Sequence, residues 1–312
     1  MTTSTTTLFS STTRPDPTLF FQRNEADDIR LGEVVRWQIT DYAAARVVLL
    51  GCPQDEGVLR NGGRIGAADA PDAIRLWLYR LVAPPGLTLF DLGNTMLQST
   101  LEATHLIQQH VVRQVIADGK QLIVLGGGND IAYPDCAGLA QETGELLAFH
   151  VDAHLDVRDS PLRNSATSYR MLLEEEILKP ANVYAMAYQP FAVAEAHLDY
   201  LRNKGAYSFS LRALQQVGVI STFQRILWEH HADAIFWDLD MDVVRMSEAP
   251  GVSAPNPLGM SGDLLCQIAA LAGGDPRSRL LEISEVNPTY DRDNCTARLA
   301  AVAIFHFLAE TL

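Results

Sequence analysis

Eight short runs of apolar and β-branched residues punctuate this chain. They are ARVVLLG at 45–51, LTLFDLG at 87–93, QLIVLGGG at 121–128, ELLAFHVDAH at 145–154, NVYAMAY at 182–188, AYSFSL at 206–211, DAIFWDLDMD at 233–242 and RLLEISEV at 279–286. None keeps the alternation of a strand with one wet face, and amphipathic helical stretches separate nearly every pair. Strands apolar on both sides and joined by helices predict a mostly parallel sheet covered on both faces, a three-layer α/β/α domain. No internal repeat appears, and one domain is expected over 26–312. The segment 1–25 opens with MTTSTTTLFSSTTRPDP, rich in Ser and Thr and without the apolar stretch of a secretory signal, and is expected to be a flexible arm.

Composition narrows the function classes. A formal charge of −14 over 312 residues repels phosphate backbones and anionic lipid, which argues against nucleic acid and membrane surfaces as partners. No apolar stretch reaches the roughly 20 residues of a bilayer span. Cys52, Cys136, Cys266 and Cys295 lie far apart in or beside apolar segments, without CxxC spacing. That is the pattern of small buried thiols in a reducing, cytoplasmic setting. The glycine loops NGGRIG and GGG fit neither GxGxxG nor a P-loop, so nothing points to a nucleotide.

The chemistry concentrates where apolar runs end: GGGND at 126–130, VDAHLD at 151–156 and DLDMD at 238–242. Ligands of parallel sheets collect at carboxyl strand ends. Asp152, His154 and Asp156 are spaced i, i+2, i+4, so an extended backbone would point all three one way, and Asp240 and Asp242 repeat the pattern. Four carboxylates crowded together repel one another unless cations lie between them, which favours a metal centre over an acid/base dyad. A carboxylate-rich set with one imidazole suits Mn2+, with Ni2+ or Fe as alternatives. The competing reading is that these aspartates cap helices and close turns.

The same segments resemble the ureohydrolases, the family of arginase, agmatinase and formimidoylglutamase. That family carries GG(G/D)H, DAHxD and DxDxxxxxxxxPG segments, which here read GGGN, DAHLD and DMDVVRMSEAPG, and EVNP with Glu285 looks like its late strand end. Within the family, DEGVLRNGGRIGAADAPDAIR at 55–75, DAHLDVR and APGVSAP at 249–255 are most similar to formimidoylglutamase. The resemblance implies an arginase-like fold and two metals bridged by Asp152 and Asp240. One would be completed by His154 and Asp242, the other by Asp156 and position 129. There the chain departs from the pattern, because position 129 is Asn. An amide oxygen is neutral like imidazole but a poorer ligand for first-row transition metals. The expectation is a weaker second site, a different ion or a single metal. Asp238, where the family usually has Ser, is expected to hydrogen-bond a loop.

The reaction implied is hydrolysis of a linear amidine C–N bond, with N-formimino-L-glutamate as substrate and formamide or ammonia released. Asp156, His154 and Glu285 are the catalytic candidates, and Glu285 would pair with the amidinium; its competing role is a buried partner of a core arginine. Arg158 and Arg170 sit where the formimidoylglutamase branch also has Arg and are the candidates for holding substrate carboxylates, with Arg60 and Arg64 as further possibilities. No histidine occurs in 157–172, unlike the arginase pattern for α-amino-acid recognition. His105, His110, His230, His231 and His306 read as core or helix-end residues, whereas His150 lies in phase with Asp152 and His154. Partners implied are a small amidine or guanidine and further copies of the chain in a homo-oligomer. The alternatives are a weak or inactive ureohydrolase-fold protein with a binding or assembly role, and a guanidino-compound hydrolase of agmatinase or guanidinobutyrase type.

Overall fold

The structure, a computed structural model, describes residues 8–311. All eight apolar runs form strands, and a ninth precedes them. In chain order these are β1 Thr12–Thr13, β2 Val47–Gly51, β3 Leu89–Thr95, β4 Gln121–Leu125, β5 Leu146–Val151, β6 Val183–Tyr188, β7 Tyr207–Ser210, β8 Ala234–Asp240 and β9 Ser278–Ser284. They make one sheet in the order β1-β3-β2-β4-β9-β8-β5-β6-β7. Every pairing is parallel except β1 with β3.

The missing polar alternation has the expected cause, since both faces of the strands are buried. Val47, Leu49, Ile123, Leu125, Phe149 and Trp237 face one core, which the helices Ala70–Leu78, Gly262–Gly274 and Cys295–Glu310 cover. Val48, Leu50, Leu122, Val124, Ala148 and Phe236 face the other, under Leu101–Ala117, Ala132–Ala140 and Ser168–Glu174. Neighbouring residues thus feed opposite layers, the period-two geometry of a strand. Among the described residues no helix is long and apolar enough to cross a membrane.

The expected flexible arm is corrected over residues 8–25. Leu8 is fully buried in the second core, Phe9 packs edge-on against Tyr42 and Phe90, and β1 pairs Thr12 with Thr95. Gly93 makes this docking possible: its φ is +83°, and a Cβ there would stand 1.7 Å from the Thr13 carbonyl oxygen. Residues 1–7 lie outside the described residues.

A buried ion pair ties β3 to its covering helix. Arg75, fully buried, donates from Nε and Nη2 to Asp91 at 2.9 and 3.0 Å. It also donates to Asn94 Oδ1 at 2.6 Å and to the Gly93 carbonyl at 2.8 Å, and the Tyr79 hydroxyl donates to Asp91. Removing one partner of such a pair strands the other charge. Arg75→Met is therefore expected to lower the unfolding free energy by about 3–5 kcal/mol, read as a fall in the denaturant midpoint; a midpoint within experimental error of wild type contradicts this role.

Candidate metal centre

The site is built by four adjacent strands, β4, β9, β8 and β5, whose carboxyl ends lie side by side at the centre of the sheet. Chain direction explains the placement: β2 and β3 grow outwards on one side, β5, β6 and β7 on the other, and β8 and β9 return to fill the middle. GGGND follows β4, Glu285 follows β9, Asp240 ends β8, and DAHLD follows β5. Gly127 is required here, because a Cβ would lie 1.7 Å from the Gln54 carbonyl oxygen where the 52–54 loop packs on the β4 end.

The ligand candidates do not lie on extended strands, as the i, i+2 spacing suggested. β5 stops at Val151; Asp152 and His154 occupy a bend beyond it, and Asp156 lies in the irregular chain that follows. Asp156 takes φ +50° and Glu285 φ +64°, left-handed conformations that cost side-chain-bearing residues about 1 kcal/mol or more. The Asp156 carbonyl accepts from the amides of Tyr169 and Arg170 at 3.1 and 3.2 Å, which fixes the turn. Asp240 Oδ1 accepts from the Asp242 amide at 2.7 Å, and this short turn ends β8 and brings both side chains to the floor of one cavity. Asp242 accepts from the Ala254 amide at 3.2 and 3.1 Å, so the APGVSAP segment holds it from above.

Asp152 lies at the centre. Both its carboxylate oxygens are buried, and what faces them is imidazole nitrogen at ion-pair distance rather than a close hydrogen-bond donor. His154 Nδ1 stands 3.3 Å from Oδ1 and His150 Nε2 3.3 Å from Oδ2. His154 Nδ1 is also 4.0 Å from Asp242 Oδ2, and ligand atoms of His150, Asp152 and Asp156 lie within 4.8 Å of one another. Two imidazoles at 3.3 Å from Asp152 do not neutralise the crowd that Asp152 forms with Asp156, Asp240 and Asp242, and uncompensated buried charge costs several kcal/mol. A divalent cation is the partner that this oxygen-rich set fits.

Behind Asp152 runs a polar chain. His150 Nδ1 lies 2.7 Å from Asp238 Oδ2, which also accepts from the Tyr169 hydroxyl at 3.0 Å. His150 and Asp238 are cross-strand partners on β5 and β8. This corrects the expectation for Asp238, which is fully buried and bonds not to a loop but to the strand histidine beside Asp152. His105 is the buried residue expected, but its Nε2 lies 2.7 Å from Asp130 Oδ2, the oxygen that accepts from Gln54 Nε2 at 2.7 Å. Asp130 therefore belongs to the support of the β4 loop.

Asn129 is placed where the sequence expected a ligand, and its polar atoms are engaged. Its Nδ2 donates to Asp156 Oδ2 at 2.7 Å, its Oδ1 accepts from Ser284 Oγ at 3.1 Å, and its backbone amide donates to Glu285 Oε1 at 2.7 Å. The other Glu285 oxygen is buried without a partner, so Glu285 is not the mate of a core arginine.

Electrostatics follows from crowding. Burial, then the charge of Asp152, pushes Asp156 up to about 8. Burial pushes Glu285 up to about 7, and Asp240 and Asp242 lie well above the usual carboxylate range for the same reason, reinforced by Asp152 and Glu285 respectively. Burial opposes charge on His154, but Asp152 outweighs it and raises the imidazole to about 10. Burial likewise opposes ionisation of Asp152, yet His154 and His150 draw it well below its ordinary value.

The cavity above this floor encloses about 220 Å³. Arg158 lines it, as expected of a substrate contact, with Asn61, Ser165 and His197, which sequence reasoning missed. Asn61 lay within the NGGRIG stretch of the 55–75 signature without being singled out, and His197 gave no motif signal, although it follows the carboxyl end of β6, the same positional rule that found the aspartates. Arg170 is not brought to the cavity: it donates to the Val157 carbonyl and to Asp159 at 3.3 and 3.2 Å and lies over the Tyr200 ring at 4.4 Å. Arg60 pairs with Glu56 and Glu102, and Arg64 donates to the carbonyls of Pro250 and Val252.

Comparison with known proteins gives a consistent result. Residues 45–309 match the arginase family. The formimidoylglutamase of Staphylococcus aureus is 34% identical over 272 residues, covering 84% of this chain and 85% of its own. The crystal structure of Trypanosoma cruzi formiminoglutamase with Mn2+ superposes with a TM-score of 0.86 at 30% identity, over 91% of this chain and 98% of its own. An asparagine-to-histidine variant of that enzyme, also with Mn2+, gives 0.82 at 28% identity over 95% and 98%. The family match, the curated relative and the superposed fold agree, and the chain belongs to the arginase family.

Proposed function

We propose that the protein is a Mn2+-dependent hydrolase that cleaves N-formimino-L-glutamate to formamide and L-glutamate. The observation that carries this reading is the crowd of buried acids around Asp152, of which Asp156, Asp240 and Asp242 line the floor of a cavity that Arg158 also lines. The relatives named formimidoylglutamase support the substrate class. Asp152, His154, Asp240 and Asp242 would hold one ion, and Asp152, Asp156 and Asp240, with a poor contribution from Asn129, the second. Bound Mn2+ supplies a water nucleophile that is deprotonated near neutral pH.

The chain's own groups do the rest. Glu285 faces the cavity with one oxygen fixed by the Asn129 amide and one free, which suits it to accept from the planar amidinium and turn its carbon towards the floor. Asp156, a carboxylate with a second oxygen beyond the one that would meet an ion and pushed up to about 8, is suited to carry a proton from the floor to the departing nitrogen. Arg158 holds a carboxylate, with its backbone amide pinned to Ala166 at 2.8 Å. A cytoplasmic setting is supported by four unpaired cysteines, three of them buried. Assembly into a homo-oligomer is supported by large exposed apolar side chains such as Trp228 and Val217.

Asn129 favours unequal metal affinities, because its amide nitrogen, not its oxygen, faces Asp156. In metal titrations the second Mn2+ should bind wild type more weakly than the first, and Asn129→His should tighten it by about tenfold or more; two equal sites in wild type, unchanged by the substitution, contradict this. Asp240→Ala should lose tightly bound metal by elemental analysis and lower activity on N-formimino-L-glutamate by more than about a hundredfold. Retained metal with retained activity would sink the assignment. Acid should weaken metal binding: Asp156 and His154, raised to about 8 and 10, bind protons that the ion must displace. Mn2+ affinity should therefore climb between about pH 6 and 9 with proton release visible in calorimetry, and a flat profile is the contrary result.

A further inference from the structure

The cavity is electrically polarised. Its four acids, Asp156, Asp240, Asp242 and Glu285, all belong to the floor, whereas its rim carries Arg158 and His197 and no carboxylate. Arg158 forms no ion pair among the described residues, and its guanidinium donates to the Asn61 side-chain oxygen at 2.5 Å. Asn61 in turn donates to Ser165 Oγ at 3.1 Å, so the amide acts as a strut that aims the guanidinium.

His197 sits in the first turn of the helix Glu195–Lys204, beyond β6, and its backbone amide donates to the Ala194 carbonyl at 3.0 Å. Its ring has no hydrogen-bond partner among the described residues. Partial burial, then Arg158 and Arg170, hold its imidazole below the ordinary value. The acids of its own helix are engaged elsewhere, since Asp199 and Glu195 pair with Arg202 at 2.5 and 3.8 Å. Arg170 lies on Tyr200 of that helix while bonding the Val157 carbonyl and Asp159, and so braces the helix bearing His197 against the loop bearing Arg158. The rim thus presents a guanidinium and an unpartnered imidazole at one mouth with no anion to satisfy them.

We propose that His197 is a specificity residue that receives the distal carboxylate of a two-acid amidine while Arg158 receives the proximal one. This rests on the reaction proposed above and names what selects its substrate. A substrate with a single acid would leave one rim donor unanswered, which is how a hydrogen-bonding pocket rejects an analogue. A carboxylate between His197 and Arg158 would accept from the guanidinium on one side and from the imidazole N–H on the other.

The test compares N-formimino-L-glutamate with N-formiminoglycine, which has only the proximal acid, and N-formimino-4-aminobutyrate, which has only the distal one. His197→Ala should raise KM for the first and third by about tenfold, leave kcat within about twofold, and leave N-formiminoglycine unchanged. The unchanged glycine compound reports that the variant is folded. Calorimetric titration of L-glutamate, 4-aminobutyrate and glycine should show the same pattern in binding alone. Equal KM in variant and wild type for all three compounds overturns the proposal, as does an equal rise for the glycine compound, which marks a structural role. If wild type hydrolyses none of the three, the reaction assignment falls, and the calorimetry by itself decides on His197.

Discussion

The constraint on which this molecule turns is the burial of like charge. Asp152, Asp156, Asp240, Asp242 and Glu285 are each at most 6% exposed, gathered at the ends of three neighbouring strands, β9, β8 and β5. Dry carboxylates at such spacing cannot all ionise without cations between them. Every supporting feature serves to keep them there: the turn at Asp240, the left-handed backbone at Asp156 and Glu285, the Ala254 amide on Asp242. A sheet with both faces covered supplies the stiffness, since its strand ends cannot shift without repacking two cores.

Much of this was legible in the residues. Non-alternating apolar runs separated by helices are what a parallel sheet covered on both faces demands, and all eight became strands. β1 escaped because Thr12 and Thr13 carry no apolar signal, and its docking depends on Leu8 and on Gly93 some eighty residues away. The strand-end aspartates were visible as residue types in position, but their geometry was not: local hydrogen bonds bend the chain after Val151 and Asp240, and period-two spacing says nothing of such turns. Asp238 and His150 find each other only through the register of β5 with β8. Arg170 looked like Arg158 in sequence, yet Tyr200 and Asp159 take up its guanidinium.

Asn129 bears on one half of the proposed centre and not on the other. Its amide nitrogen donates to Asp156, placing the positive end of a dipole against the acid, and Ser284 anchors the oxygen. The half built from Asp152, His154, Asp240 and Asp242 owes nothing to that residue. The rim residues Arg158 and His197 follow β5 and β6, apart from the β8 and β9 ends that bring Asp240, Asp242 and Glu285 to the same cavity.

The central claim is that the strand-end acids are a Mn2+ centre bridged by Asp152 and Asp240. Anomalous scattering from Mn2+-loaded crystals tests it most directly. The account predicts a peak within coordination distance of both carboxylates, accompanied by His154 and Asp242. Peaks confined to surface acids, or none near Asp152 in fully loaded protein, would contradict it.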